Sequence, residues 1–135
     1  MSVLRLYCVG AIAVTFVYSF PLYATVQEVP SSQSVTLHEV LVDMVNGENW
    51  LRFRFVAPSI PADKGKVSHD DAAKDIEHLC AAVAVPYIAE YDLKSDLVVV
   101  SMADQKTEFG ETNPDAAQLF EAFSAQNEIC IWGAF

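Results

Sequence analysis

Basic residues are scarce in this chain of 135 residues: eight Lys and Arg stand against 18 Asp and Glu. One of the eight, Arg5, lies near the N-terminus, so residues 25–135 hold seven basic and all 18 acidic side chains, a formal charge of −11. A surface of that sign repels phosphate backbones and anionic headgroups, which excludes nucleic acid as an expected partner. Solubility explains the balance, and a basic partner protein or weak cation binding is its functional reading. Cysteine is rarer still, with three in the chain and no Cys-x-x-Cys, which counts against a thiol oxidoreductase. Catalytic, metal and nucleotide motifs are lacking, as are internal repeats and low-complexity tracts. No cofactor is expected, and the chain leans away from enzyme function.

What is present at the N-terminus is an apolar leader. Arg5 is followed by Leu6 to Phe20, whose polar side chains are Thr15 and Ser19, and then by Pro21-Leu22-Tyr23-Ala24. This is the pattern of a signal peptide over residues 1–24, with cleavage expected after Ala24. Leu22 and Tyr23 are larger than an ideal exit carries. The alternative is an uncleaved membrane anchor over 6–26, whose 21 residues suffice to cross a bilayer of about 30 Å. Both readings put the remainder on the far side of a membrane, where thiols oxidise and persist as disulfides.

Cys8 lies inside the leader, so Cys80 and Cys130 are the pair left for the folded part. Two cysteines allow one connectivity, and an oxidising compartment favours the disulfide over two buried thiols. Closing a loop of that length would stabilise the fold by about 4 kcal/mol in the chain-entropy model.

Residues 25–34, with Pro30 and three serines, read as a tether, and 35–135 as a single globular domain. Asn46-Gly47 between β-prone runs predicts a hairpin with a type I′ turn. Its register sets Val40 opposite Phe53, Val42 opposite Leu51, Leu41 opposite Arg52 and Glu39 opposite Arg54. One face, with Val40, Val42, Leu51, Phe53 and Phe55, is the expected core, and a slip in parity near His38 and Glu39 predicts a β-bulge. After a loop with Pro58, Pro61 and Gly65, Ser68 caps a helix expected to run to about Val83 and to end at Pro86. Leu97 to Met102 reads as a central strand covered on both faces. Asn113-Pro114 opens an expected second helix to about Gln126, with Ala116, Leu119, Phe120 and Phe123 on one face. Ile129 to Trp132 is the last strand. The order is ββαβαβ, an α/β (α+β) domain in which an antiparallel hairpin extends a mixed sheet with two helices and parallel crossovers.

Four constellations suggest chemistry. Asp71, Asp75 and His78 share one side of the first helix, a weak candidate for a cation and more simply a solvated face. Arg52 and Arg54 beside Trp50 would suit an anion, but Glu39 and Asp43 across the hairpin are expected to occupy both guanidiniums. Trp50 and Leu41 on that face still need cover, which makes them a possible partner surface. Asp104 and Gln105 follow the central strand, where open α/β sheets place their ligands, so they mark a possible ligand loop for a small molecule or a cation. A Ser101, His69 and Asp104 set lacks a nucleophile elbow and carries little weight.

Val29-Pro30-Ser31, Leu51 to Phe55 with Ala57-Pro58, His78-Leu79-Cys80, Phe109-Gly110, Gln118 to Ala122 and the ending Cys130-Ile131-Trp132-Gly133-Ala134-Phe135 stand together in this sequence. Over residues 29–135 the chain resembles a family of small exported bacterial proteins known only as a domain of unknown function. The resemblance implies a periplasmic setting, agrees with the paired cysteines and supplies no activity. The expected function is therefore a non-enzymatic module that binds an unidentified protein; a membrane-anchored accessory subunit follows if the leader is retained. N-terminal sequencing of native protein should find Thr25 first, whereas a start at Met1 identifies the anchored form.

Overall fold

The computed structural model describes residues 26–60 and 67–133. The expected leader and residues 61–66 of the second loop lie outside the described residues. Six strands form one sheet in sequential order: β1 (Val26–Gln27), β2 (Val35–Val45), β3 (Glu48–Val56), β4 (Leu97–Ala103), β5 (Gln118–Gln126) and β6 (Ile129–Trp132). Neighbours are antiparallel except β3 and β4, which run parallel. A parallel pair needs a crossover. That crossover is the helical segment α1 (His69–Leu79), one π-helical turn (Cys80–Ala84) and α2 (Val85–Glu90).

The hairpin forms as its residues dictate. Asn46 and Gly47 both have positive φ, as the type I′ turn requires, and the register pairs Glu39 with Arg54 and Val40 with Phe53. The register shifts between Leu37 and Glu39, where the bulge is expected. Only part of the expected core face is buried, however. Leu51, Phe53 and Phe55 are enclosed and Val40 is partly so, but Val42 is 60% exposed, as is Met44 beyond it at 64%. The hairpin outruns the helices, which stop short of its tip.

The second expected helix is a correction: its segment is the strand β5, paired antiparallel with β4. Gln118 to Gln126 holds Gln, Leu, Glu and Ala, good helix formers in isolation, and tertiary pairing overrides that preference. Read at a period of two, Leu119, Phe123 and Ala125 turn to the core while Phe120, Ala122 and Ser124 turn away. Asn113 makes a turn instead of an N-cap, its Oδ1 accepting from the Asp115 N–H at 3.1 Å and its carbonyl from the Ala116 N–H at 3.2 Å. Asn127 and Glu128 then take positive φ in the turn to β6. The observed order is thus three strands, a helical crossover and three strands. The expected parallel crossover into the last strand is replaced by an antiparallel meander.

Pro86 does not end the first helical segment, a second correction. Ser68 Oγ accepts from the Asp71 N–H at 3.1 Å, as the cap predicts, but helical structure continues to Glu90. Proline lacks an N–H and crowds the carbonyl four residues earlier. The wider π turn just before it lets Pro86 sit at the start of a fresh α-helical turn, where a missing N–H costs least.

The core lies between the helices and one face of the sheet, here the covered face. Ala72, Ile76, Leu79, Cys80 and Ala84 pack on Leu51, Phe53, Phe55, Val98, Val100, Met102 and Phe123. Tyr87 meets Phe53 edge-on, centroids 5.5 Å apart. All seven residues of β4 are buried, so the central strand is covered on both faces as expected. Residues 26–34, read as a tether, are held at both ends. β1 pairs with β2, and Asp75 accepts hydrogen bonds from Ser31 N (2.9 Å), Ser31 Oγ and Gln33 Nε2 (2.7 Å).

Cys80 in the π turn and Cys130 in β6 form the disulfide, 50 residues apart in sequence. It joins the crossover to the edge strand and pulls β6 onto the covered face. Replacing either cysteine by Ala should lower the unfolding free energy by about 4 kcal/mol, read from urea denaturation of oxidised wild type against the variant.

Candidate functional site

Strand alternation sends Arg52 and Arg54 of β3 to the other face of the sheet, the open face, which carries no helix among the described residues. Next to them on β4 lie Val99 and Ser101, and on β5 Ala122 and Phe120, matched in register as Arg52–Val99–Ala122 and Arg54–Ser101–Phe120. Residues 104–117, between β4 and β5, fold back over this ladder. Their base is clasped twice: Asp104 and Ala117 exchange hydrogen bonds, Asp104 N–H to the Ala117 carbonyl (3.1 Å) and Ala117 N–H to Asp104 Oδ1 (2.9 Å). Gln105 Nε2 donates to the Asp115 carbonyl at 3.3 Å. The two residues expected to mark a ligand loop are therefore its fasteners, and neither lines the cleft that the loop encloses.

That cleft measures about 230 Å³ and is bounded by Arg52, Arg54, Ser101, Phe109, Gln118 and Phe120, with Glu108 and Glu111 also on its walls. Arg54 is buried and both of its terminal nitrogens are engaged. Nη1 bonds Glu39 Oε2 at 2.6 Å, while Nη2 donates to the Thr107 carbonyl (2.9 Å) and to Thr107 Oγ1 (2.8 Å). This arginine pins the loop to the sheet. Arg52 is held differently, its Nε donating to Asp43 Oδ2 at 2.8 Å and its guanidinium lying between the rings of Trp50 (5.5 Å) and Phe109 (5.3 Å). The expected cross-strand pairing thus holds in both cases, but it takes one nitrogen of each guanidinium, Nη1 of Arg54 and Nε of Arg52, and only Arg54 has a second terminal nitrogen held by the loop.

The remaining sequence candidates lie elsewhere. Trp50 and Leu41 are half-buried, and the Trp50 indole N–H donates to Glu48 Oε2 at 2.9 Å. Asp71 and His78 are exposed on α1 while Asp75 turns fully inward to Ser31 and Gln33, a correction to the solvated helix face. Asp71 sits 3.8 Å from Lys74. Among the described residues no group of three His, Cys, Asp or Glu is placed to hold a metal ion. Ser101 opens on the open face, whereas His69 begins the helix that packs on the other, so the sheet separates them. Thr107, Phe109 and Phe120 are site residues that sequence reasoning misses. Two signals point there: Ser101 is the one hydroxyl in the apolar run Leu97–Met102, and Phe109-Gly110 is a lone aromatic beside a turn glycine of φ +82°.

Comparison with known families matches residues 15–135, which takes in every strand, the crossover and the loop over the cleft. The chain belongs to DUF6497, a family of unknown function. No curated protein and no solved structure matches it. Among the described residues no helix is long and apolar enough to cross a membrane.

Arg54→Met should cost about 2 kcal/mol in urea unfolding, because Glu39 and Thr107 lose a charged donor in a largely enclosed site. Amide exchange over residues 106–111 should accelerate with it. Arg54→Lys should not restore either value, since an ammonium cannot span the three acceptors with one planar fork.

Proposed function

We propose that this protein is an exported, disulfide-locked binding module that docks on another protein through the open face of β5 and β6. The observation that carries this reading is a strip of large apolar side chains left uncovered there: Phe120 is 67%, Ile129 62% and Ile131 43% exposed, with Ala122 between them. Scattered single hydrophobes need no explanation, but three large ones exposed on the same face of one hairpin, Ile131 opposite Ser124 and Ile129 opposite Gln126, suit an interaction surface. β6 adds a second feature, since among the described residues it is hydrogen-bonded on one side only. Its outer edge presents unpaired backbone groups along Ile129 to Trp132.

The disulfide supports the exported setting, because such a bond persists in oxidising compartments. It also holds β6 in place for docking, so little ordering entropy is lost on association. The acidic balance favours a partner with a basic rim around an apolar centre. If the leader is retained, the same module works as an anchored accessory subunit.

Cross-linking and affinity isolation from the native envelope should recover a specific companion with the wild-type protein and lose it with the double variant Phe120→Asp, Ile131→Asp. Both sites are exposed, so the variant should keep its melting temperature. Recovery of the same companion by the folded double variant, or a clean monomer from wild type, would remove the basis for this function.

A further inference from the structure

Arg52 is left half-used by its own fold. Of its fork of donors only Nε–H meets a protein acceptor, Asp43 Oδ2; the terminal Nη groups meet none among the described residues. The rings of Trp50 (5.5 Å) and Phe109 (5.3 Å) hold the guanidinium by its charge without satisfying those hydrogens. The group is thus pre-oriented on the cleft wall with its outer edge unbonded. Ser101 is its diagonal neighbour on the same sheet face, nine-tenths buried (9% exposed), and its hydroxyl has no side-chain partner among the described residues while it lines the same cleft. A planar fork beside a hydroxyl donor is the arrangement that recognises a carboxylate.

The walls add a second requirement. Glu108 and Glu111 line the cleft with no hydrogen-bond partner for their carboxylates among the described residues. A simple anion would be repelled by them, whereas a ligand that also carries an ammonium gains from their presence. Phe109 and Phe120 supply an apolar wall, both largely exposed and therefore able to take a hydrocarbon side chain. The space of about 230 Å³ is smaller than a drug-sized site of roughly 300–1,000 Å³, so the ligand is small.

We propose that this cleft binds a small amino-carboxylate, a free α-amino acid with an apolar side chain. The carboxylate sits on the Arg52 Nη groups and the Ser101 hydroxyl, the ammonium faces Glu108 and Glu111, and the side chain lies on Phe109 and Phe120. Asp43 is a positioning residue that holds Arg52 by Nε and leaves its outer edge for the ligand. The site shares Phe120 with the protein-docking strip, and Ile129 and Ile131 of that strip lie outside it.

Titration of the ¹⁵N-labelled, oxidised protein tests it. Leucine should shift the Trp50 indole N–H and the Arg52 Nε–H resonances. Leucine methyl ester, without the carboxylate, and 4-methylpentanoate, without the ammonium, should each bind about tenfold more weakly, the loss expected for one charge-assisted contact. Arg52→Lys and Ser101→Ala should weaken leucine by a similar factor, with melting temperatures showing that each variant is folded. Ile131→Asp, which damages the docking strip, should leave leucine binding unchanged. No response to leucine, an ester or a desamino acid that binds as well as leucine, or folded Arg52→Lys and Ser101→Ala variants with wild-type affinity would each overturn the proposal.

Discussion

A strand buried on both faces imposes the rest of this architecture. Leu97 to Ala103 is almost wholly apolar and every residue of it is enclosed, so each face of the sheet at β4 must be covered by something. The two covers differ in kind. On one side the crossover helices lay down Ala72, Ile76, Leu79 and Ala84 in ordinary hydrophobic packing. On the other, among the described residues no helix is present, and the cover is two arginine side chains with a loop folded over them.

Covering an apolar strand with arginine works because the guanidinium is weakly hydrated and flat, and its aliphatic stem lies along the neighbouring strand. The cost of enclosing the charge is offset by acceptors. Arg54 meets a carboxylate, a carbonyl and a hydroxyl, and Arg52 a carboxylate and two aromatic faces. The asymmetry between them follows from the loop. The Phe109 ring lies over both guanidiniums, but Thr107 reaches only the outer end of Arg54, so Arg52 is left with ring faces that attract the cation and accept no conventional hydrogen bond. A cleft with an unsatisfied donor edge is the outcome.

Strands β5 and β6 extend the sheet away from the arginine cover, and beyond Phe120 their open face is bare among the described residues. The loop 104–117 reaches only the Phe120 end, so Ile129 and Ile131 have nothing above them among the described residues. The disulfide compensates for the short edge strand: a four-residue β6 has few ladder bonds, and the link to Cys80 ties it to a fully buried position on the crossover. Asp75 does similar work at the other edge, where a buried carboxylate receives the donors of Ser31 and Gln33 and fastens the chain that leads into β2.

Local chemistry made much of this legible. Asn46-Gly47 determines a two-residue turn, that turn determines the register, and the register places Glu39 against Arg54 whatever surrounds them. Two cysteines after residue 24 permit a single bond, and an unbroken apolar run has to be a covered strand. Helix against strand for Gln118–Gln126 could not be settled that way, because its residues satisfy both periods and the pairing with β4 chose between them. Nor could Asp75 be placed from helical angles alone, since its partners lie far off in the chain, Ser31 by 44 positions and Gln33 by 42. The same holds for the cleft: the alternation of β3 puts both arginines on one face, but which nitrogens remain unbonded depends on where a distant loop comes to rest, Thr107 being 53 positions from Arg54. Sequence by itself determined turn, register, disulfide and central strand, because each follows from contacts near in the chain or from composition. Tertiary structure decided the fold of β5, the burial of Asp75 and the free edge of Arg52, because each depends on a long-range partner that no local pattern encodes.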